Sequence, residues 1–316
     1  MTTFTRPPAD DDPLWPRGSA WLADGSADPE LAVVGVPCSV GSISPSNADQ
    51  TPPAVREALA RLSPWDADAG VDLAGLPVAD GGDWDVADLP LEEAIAAIRG
   101  HAESLPHMTA DGRMRVHAFL GGDNAITRPL LTGLLGSDLE RVGLLTLDAH
   151  HDVRHLEDGP RNGTPVRGLL ADGLPGHNVI QLGLGAFTNS MAYTSWAADH
   201  GISALTADEV RARGTAVAVG QALATLAGHC EVIYVDLDID VLDVAFAPAC
   251  PGARPGGLAP SDLLTAARLA GAHPKVAAAD LVEVDVTADH DGRTVMVTAM
   301  ALLAFAAGVA TRGRER

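Results

Sequence analysis

Cysteine is scarce in this sequence, and its scarcity excludes a fold built on disulfide bonds. The 316 residues include only three cysteines, Cys38, Cys230 and Cys250, and no two of them have CxxC spacing. Cys38 and Cys250 each lie in a loop that follows a predicted strand, so both could flank the same mouth. They are a candidate redox pair, although a reducing cytoplasm disfavours the disulfide itself.

Basic residues are also few. The chain has 21 Lys and Arg residues against 42 Asp and Glu residues, a formal net charge of −21. Such a charge repels nucleic acids and anionic membranes, so neither is an expected partner.

The first residues lack the basic start and the apolar segment of a secretory signal. We expect residues 1–28 to form a polar N-terminal extension and the protein to be cytoplasmic. We also expect no membrane-spanning helix, because charged or turn residues interrupt the apolar runs before they reach the ~20 residues that a span needs.

Apolar segments of strand length alternate with helical patterns along the chain. This alternation predicts an α/β fold with three layers, αβα, and a mainly parallel central sheet. No linker is apparent, so residues 1–316 are expected to form a single catalytic domain. The predicted strands lie at 31–36, 116–122, 142–147, 178–185, 202–205, 232–235 and 276–286. The predicted helices lie at 53–62, 91–104, 125–135, 190–200, 206–228, 261–271 and 294–311. Residues 66–89 and 155–168 are expected to be surface connections.

Two acidic motifs, DAHHD and DLDID, each follow a predicted buried strand. Their possible ligands stand on alternate residues: Asp148, His150, Asp152, Asp236, Asp238 and Asp240. If the chain stays extended, each set points to one side, where like charges repel unless a cation lies among them. Carboxylate and imidazole ligands suit Mn, Zn or Fe(II). The alternatives are a solvated strand end for DAHHD and an acidic edge strand for DLDID.

Two further polar residues follow predicted strands at the same edge of the sheet. Asn124, in the GGDN segment, could offer its amide oxygen to a metal, or this turn could simply cap the next helix. Glu283 could hold a cationic group of a substrate or form an ordinary ion pair. Because ligands bind beyond the carboxyl ends of parallel strands, we expect a metal-dependent site at this edge.

These motifs together resemble the ureohydrolase family of arginases, agmatinases and formimidoylglutamases over nearly the whole chain. GGDN is similar to the family's GGDH or GGDN element, DAHHD to its DAHxD motif, and DLDIDVLDVAFAPA to its SxDxDxxDPxxAPG signature. Asn124 and Asn162 stand where arginases or agmatinases have histidines, a pattern most similar to formimidoylglutamases. The segments NGTPVR, QLGLGAFTNSMAY and CPGARPGGL also resemble that group, and some of its members carry a similar pairing of Cys38 with Cys250.

The resemblance implies a site with two Mn²⁺ ions per subunit. One ion would be held by Asn124, Asp148, Asp152 and Asp238, and the other by His150, Asp152, Asp238 and Asp240. In this arrangement Asp152 and Asp238 would bridge the two ions. Glu283 would bind the amidinium group of the substrate, and Asn162 is a further candidate for the substrate site. Asp152 is also the candidate for moving a proton to the leaving nitrogen.

The implied function is hydrolysis of N-formimidoyl-L-glutamate to L-glutamate and formamide by a hydroxide that bridges two metals. The substrate's carboxylates need arginines. Arg154 and Arg167 are the first candidates, followed by Arg161 and Arg254, and each could instead be an ordinary surface arginine. Two alternatives stay open. An agmatinase or guanidinobutyrase would release urea, and a non-catalytic metal-binding relative would turn over no amidine. Family members also imply a homo-oligomer, a trimer or a hexamer.

Overall fold

The computed structural model describes residues 12–312, and an eight-stranded parallel sheet lies at its centre. The strands are β1 Leu31–Gly35, β2 Trp65–Asp66, β3 Val71–Asp72, β4 Val78–Asp83, β5 Val116–Leu120, β6 Val142–Leu147, β7 Val179–Leu184, β8 Ser203–Thr206, β9 Val232–Asp238 and β10 Val276–Val282. In the large sheet they run in the order β4-β1-β5-β10-β9-β6-β7-β8, while β2 and β3 form a separate antiparallel pair.

Helices cover both faces of the sheet. They are α1 Gly18–Ala23, α2 Thr51–Leu59, α3 Leu91–Glu103, α4 Thr127–Leu135, α5 Pro165–Asp172, α6 Met191–Asp199, α7 Ala207–Arg213, α8 Thr215–Ala227, α9 Pro260–Ala272 and α10 Arg293–Ala310. One apolar core joins the sheet to α1, α2, α8, α9 and α10. The other joins it to α3, α4, α5 and α6. The predicted three-layer fold is confirmed.

The central strands are apolar because helices bury both of their faces. Every residue of β6 and of β10 is buried, and in β9 only Val232 is partly exposed. This is the reason that these segments read as continuous apolar runs rather than as alternating patterns.

Two connections differ from the expectation. Residues 66–89 contain β3 and β4, and β4 pairs with β1 as an edge strand of the large sheet. Its sequence, VADGGD, looks like a turn because only Val78 is buried and the exposed edge needs no apolar residues. Residues 155–168 end in α5, which begins with Pro165 in its first turn.

The segment 1–28 is not only a polar extension. It contains α1, whose Trp21 and Leu22 are buried in the core. The sequence pattern missed this helix because it is short and has only one turn of apolar residues. Residues 1–11 of this predicted extension lie outside the described part of the chain.

Helix α10 corrects the expectation about apolar runs. Residues 294–311 contain no charged side chain, so by length and composition this helix could cross a membrane. However, 78% of it is buried inside the protein. It is apolar all round because it packs against α9 and α2 within the core, which is typical of a core helix.

Candidate metal centre

The polar motifs meet because their strands are neighbours. Strands β5, β10, β9 and β6 lie side by side in the sheet and run parallel. Asn124 follows β5, Glu283 follows β10, the DLDID residues end β9, and the DAHHD residues follow β6. All four groups therefore reach the same edge of the sheet, as predicted.

Asp148, His150 and Asp240 form one half of the centre. Nδ1 of His150 lies 2.7 Å from Oδ2 of Asp240 and 3.5 Å from Oδ1 of Asp148. One ligand atom from each of the three residues lies within 4.8 Å of the others. The backbone N–H of Ala149 donates to Oδ1 of Asp240 at 2.9 Å, which fixes this carboxylate against the DAHHD segment.

Asn124, Asp152 and Asp238 form the other half. Nδ2 of Asn124 lies 3.0 Å from Oδ2 of Asp152 and 3.3 Å from Oδ2 of Asp238. Asp236, the first residue of DLDID, lies beneath this group, 3.5 Å from the same nitrogen. The backbone N–H of Asp240 donates to Oδ1 of Asp238 at 2.7 Å, so the two halves share this turn of the chain.

The DAHHD segment does not continue its strand, and this changes the predicted pairing of ligands. Strand β6 ends at Leu147, and the backbone of Asp152 is left-handed with φ 53°. This turn directs Asp152 towards Asn124. Asp148, and not Asp152, is grouped with His150 and Asp240. The geometry therefore favours Asp148, rather than Asp152, as a ligand that acts together with His150 and Asp240. The expected bridging role of Asp152 stays a prediction.

The cluster carries more negative charge than its surroundings balance. Asp148, Asp152, Asp238 and Asp240 are each at most 9% exposed. Within residues 12–312, no Lys or Arg forms an ion pair with these four carboxylates; His150 alone does. Burial, followed by the neighbouring Asp240, raises the pKa of Asp148 to about 7. Burial and the same crowding of carboxylates raise the pKa values of Asp152 and Asp238 well above the usual range.

Histidine 150 partly compensates for this charge. Burial alone would lower its pKa, but the carboxylates of Asp240 and Asp148 raise it to about 12. Conversely, although burial raises the pKa of Asp240, His150 brings it below its ordinary value. One imidazolium beside four carboxylates leaves an excess of negative charge that cations can neutralise.

The residues present fit two divalent cations. Buried carboxylates, one imidazole and one amide are donors that suit Mn²⁺. Gly252 leaves the space next to them open, since a Cβ atom there would lie 2.2 Å from Oδ2 of Asp240 and 3.1 Å from Cε1 of His150. The fit rests on this donor set and on charges that remain uncompensated.

Glu283 and Asn162 lie together beside the Asn124 half of the centre. Oε1 of Glu283 accepts hydrogen bonds from the backbone N–H of Asn124 at 2.7 Å and from Nδ2 of Asn162 at 3.0 Å. Burial raises the pKa of Glu283, although these two donors partly offset the effect. Oδ1 of Asn162 accepts from the backbone N–H of Ile43 at 3.0 Å, so Asn162 connects Glu283 to the loop after β1.

A cavity of about 390 Å³ lies next to Asn162 and is lined by Arg154 and Arg161. Its other lining residues are Ser42, Ile43, His155, Asp158 and Thr164. Arg167 is not among them. Its guanidinium lies 4.4 Å from the centroid of the Trp196 ring and donates to the carbonyl of Val153 at 3.1 Å. Arg254 bonds the carbonyls of Pro251 and Ala253.

Cys38 and Cys250 are both buried free thiols. Sγ of Cys250 lies within 4.8 Å of ligand atoms of Asp238 and Asp240. Burial raises the pKa of Cys38 to about 12 and that of Cys250 well above its ordinary value. The structure thus places Cys250 at the centre, while the pairing of the two thiols stays a prediction.

Sequence reasoning missed several supporting residues. Asp280, Thr127 and Tyr234 form a buried group behind Asn124, and Asp280 lies in register with Asp236 across β10 and β9. A buried acid within the apolar run VAAADLV was the available signal. Asn189 was also missed: its side chain bonds the backbones of Ala149 and His151 on either side of His150. Its position after β7 was the only clue to this role.

Comparison with known proteins agrees with this fold. A sequence model of the arginase family matches residues 29–307, and the chain belongs to that family. It is similar to the formimidoylglutamase of Halalkalibacterium halodurans, at 36% identity over 287 residues, which cover 90% of this chain and 89% of the relative. The crystal structure of formimidoylglutamase from Bacillus subtilis superposes with a TM-score of 0.88 at 32% identity and covers 98% of both chains. The formiminoglutamase of Trypanosoma cruzi, solved with Mn²⁺, shares the fold with a TM-score of 0.83 at 24% identity, over 94% of this chain and 99% of that one.

Proposed function

We propose that this chain is a manganese-dependent hydrolase that converts N-formimidoyl-L-glutamate to L-glutamate and formamide. The observation that carries the proposal is the meeting of four buried carboxylates with His150 and Asn124 at one edge of the sheet, next to a cavity lined by arginines. The similarity to formimidoylglutamases over about nine tenths of the chain supports the same substrate.

Two Mn²⁺ ions are the proposed cofactor. Six side chains would hold them: Asn124, Asp148, His150, Asp152, Asp238 and Asp240. Asp148 and Asp238 would be shared between the ions, because Asp148 lies in the His150 half and Asp238 joins both halves. When bound, the ions supply a Lewis acid that lowers the pKa of water towards neutrality.

Glu283 binds the formimidoyl amidinium in this proposal. Its carboxylate is buried and is oriented by Asn124 and Asn162, so it can present its free oxygen to a planar cationic group. Charge-assisted hydrogen bonds of this type are about twice as strong as neutral ones. A left-handed backbone, with φ 70°, directs Glu283 out of the line of β10 and towards Asn124.

Asp152 is the proposed proton carrier. It is buried beside Asn124, and burial together with Asp148 raises its pKa. A carboxylate next to the attacking water can take its proton and give it to the leaving nitrogen. Arg154 and Arg161, which line the cavity, would bind the carboxylates of the glutamate moiety.

A substrate panel tests the proposal. The purified protein with Mn²⁺ is incubated with N-formimidoyl-L-glutamate, agmatine and 4-guanidinobutyrate, and both formamide and urea are measured. We expect formamide from the first substrate and no urea from the others. Urea release would replace the proposal with the agmatinase or guanidinobutyrase alternative. No product from any substrate would favour the non-catalytic relative.

The wider organisation is also proposed on the basis of the family. We infer that residues 1–316 act as a single catalytic domain, in the cytoplasm and as a homo-oligomer, either a trimer or a hexamer. The large exposed side chains of Phe187 and Met191 are available for contacts between copies. The mass of the assembly in solution tests this inference, since a monomeric mass would contradict it.

A further inference from the structure

Asn124 has its amide nitrogen, not its oxygen, on the side of the carboxylates. Nδ2 points to Asp152 and Asp238, while Oδ1 lies 2.6 Å from Oγ1 of Thr127. A metal cation is coordinated through a lone pair, and the amide N–H₂ group presents hydrogens instead. Asn124 therefore cannot be a metal ligand in this orientation. Turning the amide by 180° exchanges the two atoms and places the oxygen among the carboxylates.

The hydrogen bonds behind Asn124 favour the turned orientation. Oγ1 of Thr127 also lies 2.8 Å from Oδ2 of Asp280, and Tyr234 donates its hydroxyl to the same oxygen at 2.9 Å. Oδ2 of Asp280 is therefore an acceptor for both hydroxyls. Thr127 has a single proton. It cannot donate to Asp280 and to the amide oxygen of Asn124 at the same time.

Turning the amide removes this conflict. Nδ2 of Asn124 then donates to Oγ1 of Thr127, and Thr127 donates its proton to Asp280. The hydroxyls of Thr127 and Tyr234 and one N–H of the amide then each meet an acceptor, and the amide oxygen faces the position of the cation. Thr127 and Asp280 are 1% and 0% exposed, so water does not compensate for a bond that is lost here.

We propose that Thr127 is a positioning residue that selects the metal-binding orientation of Asn124, with Asp280 fixing the direction of its hydroxyl. The inference rests on the proposed two-metal centre and goes beyond it. It implies that the buried hydroxyl of Thr127 determines how tightly the Asn124 half of the centre binds Mn²⁺ relative to the other half.

The test compares Thr127→Val with Thr127→Ser by Mn²⁺ titration, with free Mn²⁺ measured by electron paramagnetic resonance. Valine has the shape of threonine without the hydroxyl, so Nδ2 loses its acceptor only in the metal-binding orientation. We expect one of the two sites to weaken by about 10- to 100-fold, as is usual for residues behind a metal ligand. The other site should stay unchanged, and Thr127→Ser should retain wild-type binding.

Thr132→Val is the matched control. Thr132 lies on the same helix, α4, is 9% exposed, and bonds only backbone carbonyls of its own helix. It should leave both sites intact. Equal affinity in Thr127→Val and wild type would overturn the inference, and so would an equal loss at both sites.

A second measurement does not depend on the folding of a single variant. Asp at position 124 offers an oxygen whichever way its side chain turns, so it should not need Thr127 for orientation. Adding Thr127→Val to Asn124→Asp should change Mn²⁺ affinity by less than about threefold. A loss as large as in the wild-type background would overturn the inference. A wild-type protein that binds fewer than two ions would instead refute the proposed centre itself, and with it this role of Thr127.

Discussion

Two residues of the centre have backbone conformations that side chains other than glycine rarely adopt. Asp152 has φ 53° and Glu283 has φ 70°. Such conformations cost on the order of 1–3 kcal/mol each and persist where the surroundings impose them. The backbone N–H of Arg167 bonds the carbonyl of Asp152, and the N–H of Glu283 bonds the carbonyl of Gly122. The rest of the fold therefore offsets the cost of these conformations. They direct the carboxylate of Asp152 towards Asn124 and that of Glu283 towards the proposed substrate site.

Arg154 is expected to bind the substrate tail. It lines the cavity beside Asn162, whereas Arg167 is held against Trp196. A charged hydrogen bond contributes about 1.5–3 kcal/mol, so Arg154→Ala should raise KM by roughly 10- to 100-fold with little change in kcat. Steady-state kinetics with N-formimidoyl-L-glutamate measures both constants.

Arg167→Ala is the companion variant for this prediction. If the cavity binds the substrate's carboxylates, its KM should stay close to that of the wild type. A larger increase in KM from Arg167→Ala than from Arg154→Ala would contradict this prediction and would indicate that Arg167 binds the substrate tail.

At the scale of elements, α9 and α10 cross with their backbones in contact. A Cβ atom on Gly271 would lie 2.0 Å from the carbonyl oxygen of Phe305, and one on Gly308 would lie 2.1 Å from that of Arg268. These atoms belong to backbone and cannot rotate away. The crossing needs glycine on both helices, although alanine is the better helix former by about 1 kcal/mol.

Gly271→Ala should therefore lower the free energy of unfolding. Overpacking of a buried contact costs about 1–3 kcal/mol, which exceeds the gain in helix propensity. Gly220→Ala provides the control, because Gly220 lies within α8 with no atom near its Cβ position. That variant should gain about 0.5–1 kcal/mol. Urea denaturation measures both, and a stabilised Gly271→Ala would contradict the close crossing.

The sequence predicted the elements well where burial requires apolar residues. It predicted them poorly where a strand or helix is exposed and its residues are polar. Strands β6, β9 and β10 are buried on both faces, and all three were found with their first residues correct. The predicted ends of β9 and β10 were wrong by three and four residues. Strand β4 was missed because an edge strand can satisfy its exposed side with Asp and Gly. Helix α5 was missed because its polar N-terminal approach continues the loop before it.

The candidate site shows the same limit. The strand order brings the predicted ligands together. Their position at the carboxyl ends of the strands was predictable from the motifs, whereas the order of the strands was not. The individual directions do not follow, because period-two alternation holds only while the chain is extended. Asp152 departs from it through one left-handed residue and lies against Asn124, while Asp148 lies with His150 and Asp240. The orientation of the Asn124 side chain likewise depends on Thr127, which lies outside the GGDN segment, and on Asp280, which lies on a different strand.

For the whole molecule, the buried carboxylates dominate the dependence of stability on pH. Burial is the first cause of the raised pKa values of Asp123, to about 8, and of Asp148, to about 7. A carboxyl group whose pKa is raised by folding binds more protons in the folded state. The free energy of unfolding then falls as the pH rises from the unfolded pKa through the folded one.

His150 acts in the same direction over a higher range. Its folded pKa, about 12, lies above the ordinary value, so the stability that it contributes is present below about pH 6.5 and is lost as the pH rises through 12. His117 has its pKa lowered to about 3 by burial, so it destabilises the fold only below its ordinary pKa. Between about pH 6.5 and 8, the shifts of Asp123, Asp148 and His150 all lower stability as the pH rises.

The metal-free protein should therefore have a lower Tm at about pH 8 than at about pH 6.5, and Mn²⁺ should reverse this order because bound cations favour the ionised carboxylates. At about 100 times its dissociation constant, Mn²⁺ should add about 2.7 kcal/mol to the stability. Calorimetry with chelator and with Mn²⁺ at both pH values measures the effect. Asp148→Asn is the control, since its amide does not titrate and should reduce the pH dependence of the metal-free form. A metal-free Tm that rises over this range would show that the crowded carboxylates are already neutralised by other means.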